Sequence, residues 1–288
     1  MIAVEPPIGV LARKRIPKRL PERKAVTIGI GFKCKDGVVL CADQQITWSG
    51  GHKYYENKIY PLQTDEYTVA FTFAGNPNLM KSFKGKFDAA MKLFPPPYTG
   101  ERIQDAIETV LGLMDALDTD PDGLHMVCGV VIPGQEIRLI KTARKVVSQV
   151  SDYVAYDYVG VGDSSLLRYL ADLLTNRSNG EFMERHACML GTFLVCRAKA
   201  FVDGCGGDTD ILVLHKQGML EPRSNQAYAI EQRLLRIESH VRQTASKFFD
   251  RRITGEEFTN QLKYLVSALT QDHLEMQVSP LTKYEKEP

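Results

Sequence analysis

The chain has 288 residues, 44% of them hydrophobic and 25% charged, with a formal net charge of +1. This balance suits a globular protein of one or two domains with a sizeable core. It excludes a membrane-spanning helix, because no run of about 18 apolar residues occurs anywhere.

The charge is unevenly spread. Residues 1–26 carry Arg13, Lys14, Arg15, Lys18, Arg19, Arg23 and Lys24 against Glu5 and Glu22, a net of +5, which leaves about −4 for the rest. With Pro6, Pro7, Pro17 and Pro21 and no apolar periodicity, this leader is expected to be extended or disordered. It lacks the apolar stretch of a signal peptide, and its prolines argue against a mitochondrial presequence. No aromatic residue interleaves the basic ones, so a nucleic-acid partner is not expected.

The first ordered feature is a hairpin. Ile28, Ile30, Phe32 and Cys34 alternate with Thr27, Gly29, Gly31 and Lys33, the period of a strand with one buried face. Asp36-Gly37 supplies a tight turn, and Val38 to Ala42 form an apolar second strand. Tyr67 to Ala74 reads as another strand and ends at Gly75-Asn76-Pro77. Helical periodicity then runs through Leu79, Phe83, Phe87, Ala90, Met91 and Phe94 until Pro95-Pro96-Pro97 breaks it. Thr99 can cap the next helix, whose buried stripe is Ile103, Ile107, Val110, Leu111 and Met114.

Strands recur at His125 to Ile132, Glu136 to Thr142 and near Tyr153 to Val159. Asp163 or Ser164 can cap a helix through Leu174, Glu181 to Lys199 reads as its partner, and Asp210 to His215 returns as a strand. Strands in adjacent runs, separated by pairs of helices, predict an α+β chain arranged as a four-layer αββα sandwich rather than a doubly wound parallel sheet. Beyond residue 225, Ile230, Leu234, Ile237, Val241, Ala245 and Phe248 stripe one helix, and Phe258, Leu262, Leu265, Val266 and Leu269 a second, capped by Thr254. This helical hairpin, 226–278, is expected to cover the sandwich or to pack on a neighbouring subunit; the tail 279–288 is expected to be disordered.

Six cysteines show no CxxC pairing and no secretory signal precedes them, so a cytoplasmic setting fits. Cys34, Cys41, Cys128, Cys188 and Cys196 sit in apolar segments, and each is expected to act as a small buried hydrophobe. A thiol mechanism using His186 and Cys188 is disfavoured because both fall in one helical run. The six histidines show no metal-ligand spacing, and neither a metal site nor a phosphate loop is read.

The hairpin Thr27 to Asp43 resembles the opening of the proteasome-type (20S proteasome β-subunit-like) N-terminal nucleophile hydrolase family. Asn57-Lys58-Ile59-Tyr60, the Ala74-Gly75 pair and the Gly206-Gly207-Asp208-Thr209-Asp210-Ile211-Leu212-Val213-Leu214 stretch extend the resemblance over residues 27–225. It implies the Ntn-hydrolase αββα fold and a threonine-type endopeptidase or amidase whose nucleophile, Thr27, is exposed by self-cleavage of a 26-residue pro-segment. By the same resemblance Lys58 would depress the hydroxyl and amine pKa values, Asp43 would anchor that lysine, and the Gly75 N–H would serve the oxyanion. No cofactor is implied. The partners implied are a peptide or unfolded-protein substrate, a homo-oligomeric ring and, as a candidate, an ATP-dependent unfoldase.

The chain departs from the family pattern at three places. Val26 stands where self-cleaving members usually have glycine, and Val161 where a supporting serine is expected. The distal Asp-x-x-Ser-Gly-Gly pattern is one residue short, so Asp203 or Cys205 can match it, but not both. The Lys58 spacing needs a one-residue deletion around Ser49-Gly50-Gly51, and an ideal hairpin register puts Thr27 and Asp43 on opposite faces. A catalytically silent structural subunit and a non-peptidase amidase or acyl-transfer enzyme therefore stand beside the peptidase reading.

Overall fold

The computed structural model describes residues 27–47, 52–119, 123–160, 171 and 182–278. The leader 1–26 with Val26, the Ser49-Gly50-Gly51 stretch, Val161, the expected cap Asp163 or Ser164, and the tail 279–288 lie outside them, as does all but Ala171 of the helix expected to end at Leu174.

The expected α+β character holds: among the described residues there are twelve strands, all paired antiparallel, and six helices. One five-stranded sheet is built around β1 (Ile28–Cys34) and β2 (Gly37–Asp43). A two-stranded ribbon, β3 (Gln45–Thr47) and β4 (Lys53–Tyr55), follows. The second five-stranded sheet runs in chain order through β5 (Ile59–Gln63), β6 (Thr68–Gly75), β7 (Leu124–Ile132), β8 (Glu136–Ala143) and β9 (Val146–Gln149). The first sheet is completed by β10 (Tyr156–Gly160), β11 (Thr209–His215) and β12 (Leu220–Pro222), in the order β10-β1-β2-β11-β12.

The alternation in β1 has a clear physical use. Ile28, Ile30, Phe32 and Cys34 join Cys188, Leu194 and Val195 of the helix Glu184–Phe201 in one core. The intervening glycines face the second sheet, where a Cβ on Gly31 would sit 2.5 Å from Val127 Cγ1. Val38, Leu40, Ala42, Val127, Leu212 and Leu214 fill the space between the sheets. On the far side of the second sheet lie α1 (Pro77–Leu93) and α2 (Gly100–Gly112), followed by the short α3 (Ala116–Thr119). There Phe71 meets Phe83 and Phe87 edge-on at 5.3 and 5.2 Å.

Thr99 caps α2 as expected, accepting from the Arg102 N–H at 3.3 Å. Asn76, with Pro77 behind it, caps α1. The helix against the first sheet, α4, begins at Glu184 rather than Glu181.

Two expectations are corrected. The hairpin register pairs Cys34 with Gly37, so the turn is Lys35-Asp36 and Gly37 already belongs to β2. Its glycine answers a close approach, since a Cβ there would lie 2.1 Å from the Leu214 carbonyl oxygen. The strand expected from Tyr153 starts only at Tyr156, after a turn in which Ala155 adopts φ +57°. Strands β3, β4, β5, β9 and β12 carried no readable signal. Of these, β5, β9 and β12 lie at sheet edges, where Pro61 and Pro222 are tolerated and one side of the ladder needs no donor.

The C-terminal hairpin consists of α5 (Ser224–Phe249) and α6 (Gly255–Val278). Thr254 and Glu257 form a reciprocal capping box at the start of α6. Ala227 and Ile230 of α5 are buried, against α4 and β11, whereas α6 packs chiefly on α5. The hairpin thus meets the first sheet through the N-terminal part of α5, at β11. Phe249 is 78% exposed and Val266 62%.

Replacing Gly37 with alanine should force β2 and β11 apart and lower the urea midpoint, at a cost of about 1–3 kcal/mol. Replacing Asp36 with asparagine should change it by less than about 0.5 kcal/mol. Equal effects of the two would show that the turn, not strand approach, sets the glycine requirement.

Candidate functional site

Three strand ends meet at one pole of the sheets. Thr27 immediately precedes β1, Asp43 is the last residue of β2, and Lys58 immediately precedes β5 of the other sheet. Thr27 Oγ1 donates to Asp43 Oδ1 at 2.7 Å, and Lys58 Nζ donates to the same oxygen at 2.6 Å. Lys58 also donates to Thr27 Oγ1 and to the Gln45 carbonyl, both at short range. Asp43 receives two backbone donors, Ile28 N–H on Oδ1 and Gly206 N–H on Oδ2, each at 3.0 Å. Asp43 and Lys58 are fully buried, and Thr27 is 4% exposed.

The opposite-face problem of the ideal hairpin is solved at the strand end. Ladder pairing stops short of Thr27, which lies outside β1 and is free to turn toward the carboxylate, while Asp43 is fixed by its pairing with Thr209 of β11. Burial pulls the Lys58 pKa below its ordinary value, and the adjacent Asp43 carboxylate opposes that by favouring the cation. All three ammonium donors have acceptors, so the charge is satisfied in place.

Gly75, the fourth residue singled out in the sequence, ends β6 at a neighbouring strand end with φ +108°, a conformation that favours glycine. Gly160 joins the two places. A Cβ on it would lie 1.8 Å from the Thr27 carbonyl oxygen and 3.1 Å from Ala74 Cβ, so only glycine lets β10, Thr27 and the end of β6 touch there.

Of the two matches for the distal motif, Asp203 is exposed and 3.8 Å from Lys53, whereas Cys205 is buried beside the cluster. Burial and the Asp43 charge push the Cys205 thiol up to about 12, so it stays protonated near neutrality. His186 is exposed and Cys188 is buried, its thiol also pushed up to about 12 by burial, so the pair forms no thiolate site. All six cysteines are free and buried. Sequence reasoning missed the Gly206 N–H and the Gln45 carbonyl because backbone groups leave no residue-type signature. The Gly206-Gly207 pair was the only hint. A crevice of about 800 Å³ lies at the other end of β1, lined by Lys33, Arg138 and Lys216 among others, away from Thr27. Among the described residues no helix is long and apolar enough to cross a membrane.

No family model matches the chain, and comparison with curated proteins finds no match. Among solved structures the chain is similar to an Anbu (Gly-1) mutant from Hyphomicrobium sp. strain MC1, at 14% identity and a TM-score of 0.63, covering 78% of this chain and 100% of that one. It is similar to Anbu (ancestral beta-subunit) from Yersinia bercovieri at 12% identity and a TM-score of 0.60, covering 72% and 92%. A structure described as the helical assembly of the Anbu complex from Pseudomonas aeruginosa matches at 14% identity and a TM-score of 0.57, covering 90% and 100%. These neighbours overturn the assignment to the 20S β-subunit-like N-terminal nucleophile hydrolase family that the hairpin suggested. At such identities a fold is shared and nothing finer, and the fold this chain shares is that of the Anbu structures.

Proposed function

We propose that this chain is a proteasome-like subunit that hydrolyses amide bonds in peptides or unfolded proteins, with Thr27 as the nucleophile. The observation that carries the reading is the buried contact of Thr27 Oγ1 with both Asp43 and Lys58. A threonine hydroxyl is a weak nucleophile and needs a base. Hydrolysis of the Val26–Thr27 bond creates one, a free α-amine with a reference pKa of about 8. In the proposed step this amine takes the Oγ1 proton as the oxygen attacks the substrate carbonyl. Lys58 stabilises the developing negative charge on Oγ1, Asp43 keeps Lys58 oriented, and the Gly75 N–H donates to the carbonyl oxygen as it becomes an oxyanion. Collapse expels the amine leaving group with a proton, and water then hydrolyses the ester to regenerate Thr27.

In this reading residues 27–225 form the αββα body, 226–278 an assembly element, and the basic leader 1–26 a segment released on maturation, in the cytoplasm, with an unfoldase as a candidate supplier of substrate. The exposed Phe249 and Val266 of the hairpin support a homo-oligomer of at least six subunits, as does the description of the Pseudomonas neighbour as a helical assembly. The competing reading, a silent structural subunit, draws on the same geometry, because the three satisfied donors of Lys58 would also suit a static strut.

Intact mass and an epoxyketone probe, which needs a hydroxyl and a free α-amine together, separate the two. The wild type should lose residues 1–26 and label on Thr27, and Thr27→Ala should do neither. A folded, assembled wild type that keeps its leader and takes no label would sink the enzyme reading.

Lys58→Met should slow labelling by about 10²–10³-fold, the effect of removing one preorganised electrostatic group, while the variant still assembles. Asp43→Ala should also slow labelling and cost about 3–5 kcal/mol in urea unfolding, because it leaves a buried ammonium without its counter-charge. Full activity in either variant would remove the pair from the mechanism.

Light scattering at micromolar concentration should give a mass of six or more subunits, reduced by Phe249→Asp. A monomeric wild type would rule out the assembly.

A further inference from the structure

His215, the last residue of β11, stands between two carboxylates on opposite sides of its ring. Nδ1 lies 3.2 Å from Glu184 Oε2 at the start of α4, and Nε2 lies 2.9 Å from Glu221 Oε2 in β12. Arg223, the N-cap residue of α5, is ion-paired with the same two acids, to Glu184 Oε1 at short range and to Glu221 Oε2 at 2.8 Å. Two acids, a guanidinium and an imidazole thus close a ring that ties α4, β11, β12 and the root of α5 together.

The ring works in only one protonation state. A neutral imidazole has one N–H and one lone pair, so one of its nitrogens would face a carboxylate lone pair to lone pair. The imidazolium donates to both. With it the four groups sum to zero charge, and without it they carry −1. Glu184 first, and then Glu221, hold the His215 pKa above its ordinary value of 6.5 against the opposing effect of burial. The remaining groups nearby do not compensate for a lost proton. Cys188 of α4 stays a thiol, and Asp36 of the β1–β2 turn is paired with Lys216 at 2.9 Å.

Glu184, His215 and Glu221 offer ligand atoms within 4.8 Å of one another, as a metal site would. Arg223 already supplies a cation between the two acids, however, and the carboxylates stand at different ring nitrogens, so the imidazolium and the guanidinium together balance the cluster's charge without an ion.

We propose that this cluster is a proton-operated latch that fastens the root of α5, and with it the α5–α6 hairpin, to the body of the protein. The proposal is independent of the hydrolase reading. Because the folded-state pKa is raised, the latch contributes its full stability below 6.5, the ordinary histidine value, and loses it as pH rises through the folded value. For each unit by which the folded value exceeds 6.5, the folded-to-unfolded ratio should fall about tenfold across that window.

The test is urea unfolding of the full chain from about pH 5.5 to about 8.5, with hydrogen–deuterium exchange of the segment 216–232. In the wild type the midpoint should fall with rising pH, and segment 216–232 should exchange faster than the intrinsic pH effect requires. His215→Gln should flatten both, and Glu184→Gln, which keeps the imidazole and one acid, should make the slope shallower. An unchanged slope in both variants overturns the latch. So does recovery of the wild-type midpoint near pH 8.5 on adding Zn²⁺, which would make the cluster a metal site instead.

Discussion

The structure turns on one buried ion pair. Asp43 ends a strand of one sheet and Lys58 opens a strand of the other, and their 2.6 Å contact is a charged bond between the two layers. Removing two charges from water costs several kcal/mol each, and their attraction roughly offsets that cost, so the pair contributes little net stability. What it does fix is position. The start of β1 through the Ile28 N–H, the ribbon through the Gln45 carbonyl and the Gly204–Gly207 turn through the Gly206 N–H all end on these two side chains. Such convergence explains why the site needs so many backbone donors. A carboxylate and an ammonium that are both fully buried are tolerated only when every lone pair and proton is matched.

The pair can form only because the sheets approach closely at defined places. Gly29 and Gly31 on β1 and Gly129 on β7 present no side chain to the opposing layer, where a Cβ on Gly129 would sit 2.7 Å from Val38 Cγ1. Larger residues at these positions would widen the gap that Val38, Leu40 and Val127 now fill. The same logic holds at the pole itself, where Gly160 admits the Thr27 carbonyl. Small residues in this protein set the distance at which the charged ones can meet.

This division explains which parts of the protein could be read from its sequence. Central strands and capped helices were legible because burial imposes a period. Ile28 to Cys34 must alternate, and Thr99 and Thr254 must satisfy open N–H groups. The edge strands β5 and β9 escaped because one side of each ladder is open to water, leaving Ile59–Gln63 free to carry Pro61 and Val146–Gln149 free to be mostly exposed. Thr27, Asp43 and Lys58 were singled out through a resemblance rather than any period, and their contact depends on Thr27 leaving the ladder, which no alternation pattern encodes. The family drawn from that resemblance failed, while Thr27, Asp43 and Lys58 do meet. The choice between Asp203 and Cys205 needed the fold, since a one-residue shift in a glycine-rich turn decides which of them is buried.

The hairpin and the candidate site are physically joined through one strand. Glu231 of α5 accepts from Thr209 Oγ1 and pairs with Lys199 of α4 at 2.7 Å, and Thr209 is the rung partner of Asp43. At its other end β11 carries His215, whose acids also bind Arg223 at the root of α5. Helix α5 therefore grips β11 at both ends, and Ser224 Oγ adds a bond to Asp210 at 3.1 Å near the start of that strand. Any force that moves α5, whether a neighbouring subunit on the hairpin or the loss of a proton at His215, acts first on the strand whose opening residue fixes Asp43. A helix attached to the core from its root to the Arg197–Glu238 ion pair, and exposed near its far end at Phe248 and Phe249, is well shaped to carry such a force.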